Sequence, residues 1–138
     1  MLVLDTDHLT HIDSGSEAGA ALKQLLEASH DEPATTIVSV EEQLRGWLSQ
    51  IKSAKSAHQL IEPYRRRQVR IRFFAGWQVL PFDGAAATQL ERLRLLRLRI
   101  GTMDLRIASI ALAYGATLLS RNLADFQRVP ELSVEDWL

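Results

Sequence analysis

The chain has 138 residues, 46% of them hydrophobic and 24% charged, with a net charge of −1 and no cysteine. That length is enough for one domain with its own core, expected over residues 1–138, and the lack of cysteine excludes a disulfide framework and any thiolate metal site. No run approaches the ~18 apolar residues of a membrane span, and Asp5 falls where a signal peptide would need apolar sequence, so a soluble, cytoplasmic protein with no membrane partner is expected.

The first element is Leu2-Val3-Leu4, a short continuous apolar run of the kind found in strands buried on both faces. A helix-rich stretch follows, with Ala20, Ala21, Leu25, Leu26 and Ala28 as its apolar positions. Thr35-Thr36-Ile37-Val38 reads as a second strand, after which Ser39 can cap a helix reaching about Ile51. From Ser53 to about Phe74 the spacing of Ala57, Leu60, Ile61, Tyr64, Ile71 and Phe74 is helical. Pro63 marks either a kink there or the start of a second helix. Val79-Leu80 is a brief strand, Asp83 a cap, and Ala85 to Ile100 an arginine- and leucine-rich helix. Thr102 caps the next helix, which Gly115 ends in a left-handed conformation. Thr117-Leu118-Leu119-Ser120 is the clearest late strand, and Ser133-Val134 adds a last one. Short strands alternating with helices predict an α/β fold with a parallel sheet covered on both faces.

In such sheets ligands collect at the carboxyl ends of the strands. That rule selects Asp5 after the first strand, Glu42 in the helix after the second, Asp104 at the start of its helix, and Asn122 with Asp125 after the late strand. Asp104 shares a face with Ile107, Ala108, Ala111 and Leu112, which turns it toward the sheet. Each position also has a purely structural reading. Ser39-Val40-Glu41-Glu42 fits a capping box, Asp104 suits a helix dipole, and Asp7 could cap a short helix. Asp5 is the hardest to explain that way, because a carboxylate at the end of a buried strand is costly unless it is hydrogen-bonded, paired or bound to a cation. The four histidines have no zinc-site spacing and read as surface or packing residues.

Charge is unevenly distributed. Between Pro63 and Met103 nine arginines face only Asp83 and Glu91, a balance of +7 that leaves −8 for the rest. Such a block is what meets a polyanion, and it equally suits solvated helix faces. Arg97 and Arg99, just before Asp104, are the preferred contacts for nucleic-acid phosphates, with salt bridges to the acidic remainder or to a protein partner as the alternative. Trp47, Trp77 and Trp137 suit base stacking or packing.

The segments Leu4-Asp5-Thr6-Asp7-His8-Leu9, Ser39 to Gly46, Ile100 to Ala108, and Leu119-Ser120-Arg121-Asn122 through Asp125-Phe126 together resemble the PIN domain, specifically the VapC toxins of bacterial toxin–antitoxin pairs. The resemblance runs through essentially the whole chain in order. It implies a PIN-like α/β/α sandwich with a central parallel sheet, a Mg²⁺- or Mn²⁺-dependent endoribonuclease, a homodimer, and an antitoxin protein that blocks the site. By position the family's acidic residues fall on Asp5, Glu42 (four before Gly46) and Asp104, and the fourth falls on Asn122, where many members carry aspartate. Asp125 could partly substitute there.

Oxygen ligands suit hard Mg²⁺ or Mn²⁺. The expectation is one tightly held ion with Asp5 and Asp104 as main ligands, Glu42 as a further or water-mediated one, and Asn122 and Asp125 as weaker ones; no separate general base is assigned. The rival from the same fold is a catalytically weakened module that binds RNA or protein, for which Asn122 is the only sign. A phosphoacceptor receiver lacks its late lysine here, and a dinucleotide-binding domain lacks its glycine-rich loop.

Overall fold

The computed structural model describes residues 1–138. Five parallel strands form one sheet in the order β3-β2-β1-β4-β5: β1 (Leu2–Leu4), β2 (Pro33–Thr36), β3 (Gln78–Leu80), β4 (Thr117–Leu119) and β5 (Ser133–Glu135). Val3 is paired with Ala34 on one side and with Leu118 on the other, so β1 is central and fully buried. Successive side chains of a strand alternate between faces. Val3 and Leu118 accordingly join one core with Ala34, Leu80, Leu93, Ile107, Ala111 and Phe126, while Leu2, Leu4 and Leu119 join another with Leu9, Ile12, Leu22, Leu26 and Phe74.

Helices supply both covering layers. On the Leu2/Leu4 side lie α1 (Thr6–Ser14) and α2 (Glu17–Ser29), and on the Val3 side α5 (Gly84–Leu95) and α6 (Thr102–Ala113). Between them in sequence, α3 (Ile37–Ser53) and α4 (Ile61–Ala75) form a pair, and α7 (Leu123–Phe126) is a single turn after β4. The result is an α/β/α sandwich. No helix is long and apolar enough to cross a membrane.

Several boundaries differ from those read in the sequence. Strand β2 stops at Thr36, whose hydroxyl accepts the Ser39 N–H (3.0 Å), so Thr36 and not Ser39 caps α3. Asp5 and not Asp7 caps α1, and Gly101 rather than Thr102 precedes α6 without a side-chain cap. Helix α5 ends at Leu95, followed by Arg97 with φ +51°, which breaks the run expected to reach Ile100. Pro63 sits in the first turn of α4, where an absent N–H leaves no bond unmade, so it starts a helix and kinks nothing. Asp83 caps α5 and Gly115 takes φ +59°, both as expected.

Helices α1 and α2 approach so closely that a Cβ on Gly19 would stand 2.0 Å from the His11 carbonyl oxygen. Neither backbone can yield without moving its helix. Gly19→Ala is therefore expected to cost about 3 kcal/mol, a fall of roughly 10 °C in melting temperature for a chain of this size. Gly84→Ala, where the added Cβ meets nothing within 4 Å, should leave the melting temperature within about 2 °C. Equal melts for the two variants would refute the close packing.

Candidate active site

The carboxyl ends of β1, β2 and β4 open on one side of the sheet, and the acidic residues gather there by chain connectivity. Asp5 directly follows β1 and its N–H donates to the Leu119 carbonyl at the end of β4 (2.9 Å). One carboxylate oxygen accepts the Thr6 N–H (2.7 Å) and the other the Ser120 hydroxyl (2.8 Å). Burial pushes the Asp5 carboxyl up to about 6; the Thr6 and Ser120 hydrogen bonds oppose that rise, and the nearby Asp7 and Glu42 charges add to it.

Glu42 lies in the second turn of α3, and its Oε2 accepts the Thr6 hydroxyl (2.8 Å). That contact settles its structural role against the capping box, since the helix starts earlier and Glu42 reaches across to α1. Asp104, in the first turn of α6, has its carboxyl raised by burial first and then by the charges of Glu42 and Asp125, while the Asn122 amide lowers it. Asn122 Nδ2 donates to Asp104 (3.1 Å) and to Asp125 (3.1 Å), tying the two acids together.

Beyond burial, the Glu42 charge raises both Asp5 and Asp104, as does that of Asp7, so Glu42 lies within electrostatic reach of each of the other two. None of the three forms an ion pair with lysine, arginine or histidine. Three carboxylates without an ion-pair partner are chemically suited to a hard divalent ion. Their side chains are turned to Thr6, Ser120 and Asn122, and no three of them stand together as a closed chelate. The donor set fits such an ion by its chemistry, and these hydrogen bonds fix the orientation of its oxygens.

Three further residues complete the arrangement. Ser120, buried at the end of β4, donates to Asp5 and accepts the Asn122 N–H (3.1 Å), coupling the first and last segments. Thr6 serves Asp5 through its N–H and Glu42 through its hydroxyl. Asp7 accepts the His8 ring (2.6 Å) and the Arg121 N–H (2.9 Å). Burial pushes the Asp7 carboxyl up, but the bonds from His8 and Arg121 outweigh it and hold it below its ordinary value. The fully buried His8 accepts the Trp137 N–H at Nε2 (3.2 Å), so its Nδ1 carries the proton given to Asp7. Ser120 escaped sequence reasoning, although the strand-end rule that selects Asp5 applies to it equally.

Arg97 and Arg99 are exposed in the turn between α5 and α6, and their side chains form no ion pair. The Arg99 carbonyl accepts from Arg128 (2.6 Å), which also pairs with Asp125 (3.5 Å), so this turn is fastened to Asp125. Trp77 packs on Phe73 with ring centroids 5.9 Å apart, and Trp137 is held by His8 and Glu135, which leaves Trp47 outside both arrangements.

The family model for the PIN domain matches residues 2–132. Over 56 residues the chain is 44% identical to "Ribonuclease VapC2" of Rickettsia felis, an alignment covering 41% of this chain and 40% of that protein. Over 85 residues it is 32% identical to "tRNA(fMet)-specific endonuclease VapC" of Salmonella typhimurium, covering 59% and 64% of the two chains. These alignments thus span less than two thirds of either relative. Among solved structures, VapBC2 from Rickettsia felis bound to a DNA fragment from its promoter superimposes with a TM-score of 0.74 at 26% identity, covering 99% of this chain and 98% of that one.

Proposed function

The chain belongs to the PIN-domain family, and from that premise we propose that it is a Mg²⁺- or Mn²⁺-dependent endoribonuclease, the toxin of a type II toxin–antitoxin pair acting in the cytoplasm. The observation that carries this reading is the placement of Asp5, Glu42 and Asp104 at one end of the sheet, none of them ion-paired and with Glu42 raising both of the others. Asp5, Asp104 and Glu42 would hold the ion, with Asn122 and Asp125 as weaker donors. When bound, such an ion neutralises charge on phosphoryl oxygens and makes water a usable nucleophile at neutral pH. Thr6 and Ser120 orient the Asp5 oxygens, Thr6 orients Glu42, and Asn122 spaces Asp104 from Asp125. Arg97 and Arg99 are the proposed contacts for RNA phosphates.

Relatives named as ribonucleases and neighbours solved as VapBC complexes support the reading of both activity and partner. An antitoxin and a second copy of the chain are the proposed protein partners. The surface available to them is an apolar groove of about 760 Å³ between α3 and α5, where Ile37, Leu48 and Phe82 remain exposed.

Incubating the purified protein with total RNA and with Mg²⁺, Mn²⁺ or EDTA tests the enzymatic part. Discrete cleavage products are expected with either metal and none with EDTA. RNA binding without cleavage under any metal would instead favour the catalytically weakened module, for which the amide at Asn122 is the specific observation.

A further inference from the structure

Between α3 and α4 lies a second cavity of about 250 Å³, polar where the α3/α5 groove is apolar, with Gln43, Trp47, Gln50, Arg66, Arg67 and Arg70 among its lining residues. Gln43, Trp47 and Gln50 recur at i, i+4 and i+7, one face of α3. The carboxamide oxygen and nitrogen of Gln43 and the indole N–H of Trp47 are all buried without a hydrogen-bond partner. Buried polar groups are rarely left so, and three in one small cavity point to a molecule that supplies both a donor and an acceptor. The cations there are not equivalent. Arg66 is paired with Glu62 and Arg70 with Asp13, whereas Arg67 has no acidic partner and lies over the Trp47 ring at 3.7 Å. The site therefore holds one unneutralised guanidinium, that of Arg67, laid over an indole whose ring also meets Tyr64 edge-on at 5.9 Å, beside an unused amide. The Arg67 guanidinium can take a base face or a phosphate, and the amide can take a base edge.

We propose that this cavity is a single-nucleotide subsite that holds one unpaired base of the RNA outside the scissile position and favours adenine, because a carboxamide pairs bidentately with adenine N6 and N7. The proposal rests on the ribonuclease reading and deepens it by naming a specificity determinant. Its place supports that role. Gln43 immediately follows Glu42 on the same helix, and Arg70 is anchored to Asp13 of α1, the helix that Asp5 caps.

Labelled RNA hexamers differing at one position are titrated by anisotropy into the full-length protein in EDTA, so that binding is read apart from cleavage. Wild type should prefer adenine at one position by about fivefold or more. Gln43→Leu should erase that preference and weaken the adenine hexamer about tenfold. Arg67→Ala should weaken all hexamers and lower the slope of log affinity against log salt by about one. Quenching of tryptophan fluorescence by AMP should vanish in Trp47→Phe. Gln43→Leu removes an unpartnered amide, so its melting temperature should equal or exceed wild type, which separates a binding loss from misfolding.

Wild-type preference and affinity in both Gln43→Leu and Arg67→Ala would overturn the subsite even if metal-dependent cleavage is intact. Loss of binding in the variants together with no cleavage under any metal would uphold the subsite while the nuclease reading falls. Competition by poly-glutamate as strong as by RNA would overturn it in favour of an acidic protein segment.

Discussion

Asp5→Asn is expected to lower RNA cleavage on the order of 10³-fold, equivalent to about 4 kcal/mol of lost charge stabilisation, and at the same time to make the metal-free protein more stable at neutral pH. Both effects come from one charge held in the wrong place for folding. The Asp5 carboxyl sits at about 6 in the folded chain against an ordinary 3.8, with burial as the main cause. Between those two pH values the folded state keeps a proton that the unfolded state has lost, so stability falls as pH rises through that window and stays low above it. The shift corresponds to up to about 3 kcal/mol. Asparagine removes the buried charge, keeps an acceptor for the Thr6 N–H, and can donate its amide to Ser120, whose hydroxyl is free to turn. The net gain should be about 1 to 2 kcal/mol at pH 7, shrinking toward zero at pH 4. Thermal melts in EDTA from pH 4 to 8, beside single-turnover cleavage with Mn²⁺, check the two halves separately. A near wild-type rate would remove Asp5 from the site, and a melt lower at every pH would make it a structural acceptor only.

Asn122→Asp should act in the opposite sense. The Asn122 amide donates to both Asp104 and Asp125; the substitution deletes both donors and places a third carboxylate between two others. Without metal the variant should lose about 1 to 3 kcal/mol at pH 7, and the Asp104 carboxyl, already raised by burial and by Glu42 and Asp125, should rise further. With metal the added ligand charge should tighten Mn²⁺ binding about tenfold or more, the equivalent of about 1.4 kcal/mol, and raise cleavage at limiting metal. Calorimetric titration of both forms reads the affinity directly. Unchanged affinity and stoichiometry would mean that Asp125 or water already occupies the fourth place.

The amino-acid order by itself determined the architecture and the side of it on which chemistry would lie. Leu2-Val3-Leu4 is apolar at every position and Thr117-Leu118-Leu119 at its last two, as suits strands covered on both faces, and the helices between them announce themselves by period. Because the strands run parallel, whatever follows each of them meets at one end, and so Asp5, Glu42, Asp104 and Asn122 could be named without coordinates. Where the strands and helices stop was less legible. Thr36 competes with Ser39 for the same cap, both being good hydroxyl acceptors, and only the backbone path out of β2 selects between them. Helix α5 stops at Leu95 although Leu96, Leu98 and Ile100 continue an apolar pattern, because Arg97 turns left-handed and the chain must swing back to begin α6.

Tertiary structure alone decided how the site is held. Ser120 donates to Asp5 across 115 positions of sequence and Thr6 to Glu42 across 36, and a hydrogen bond of that span leaves no local pattern. The α3/α4 cavity is the plainest case. In the sequence Gln43 and Trp47 are unremarkable members of one helix and Arg67 one of nine clustered arginines; only the packing of α3 on α4 strands two buried polar side chains beside an unpaired guanidinium. Periodicity tells which face of a helix is covered, but what covers it, and which donors go unmet there, depends on a partner element whose position no local signal encodes.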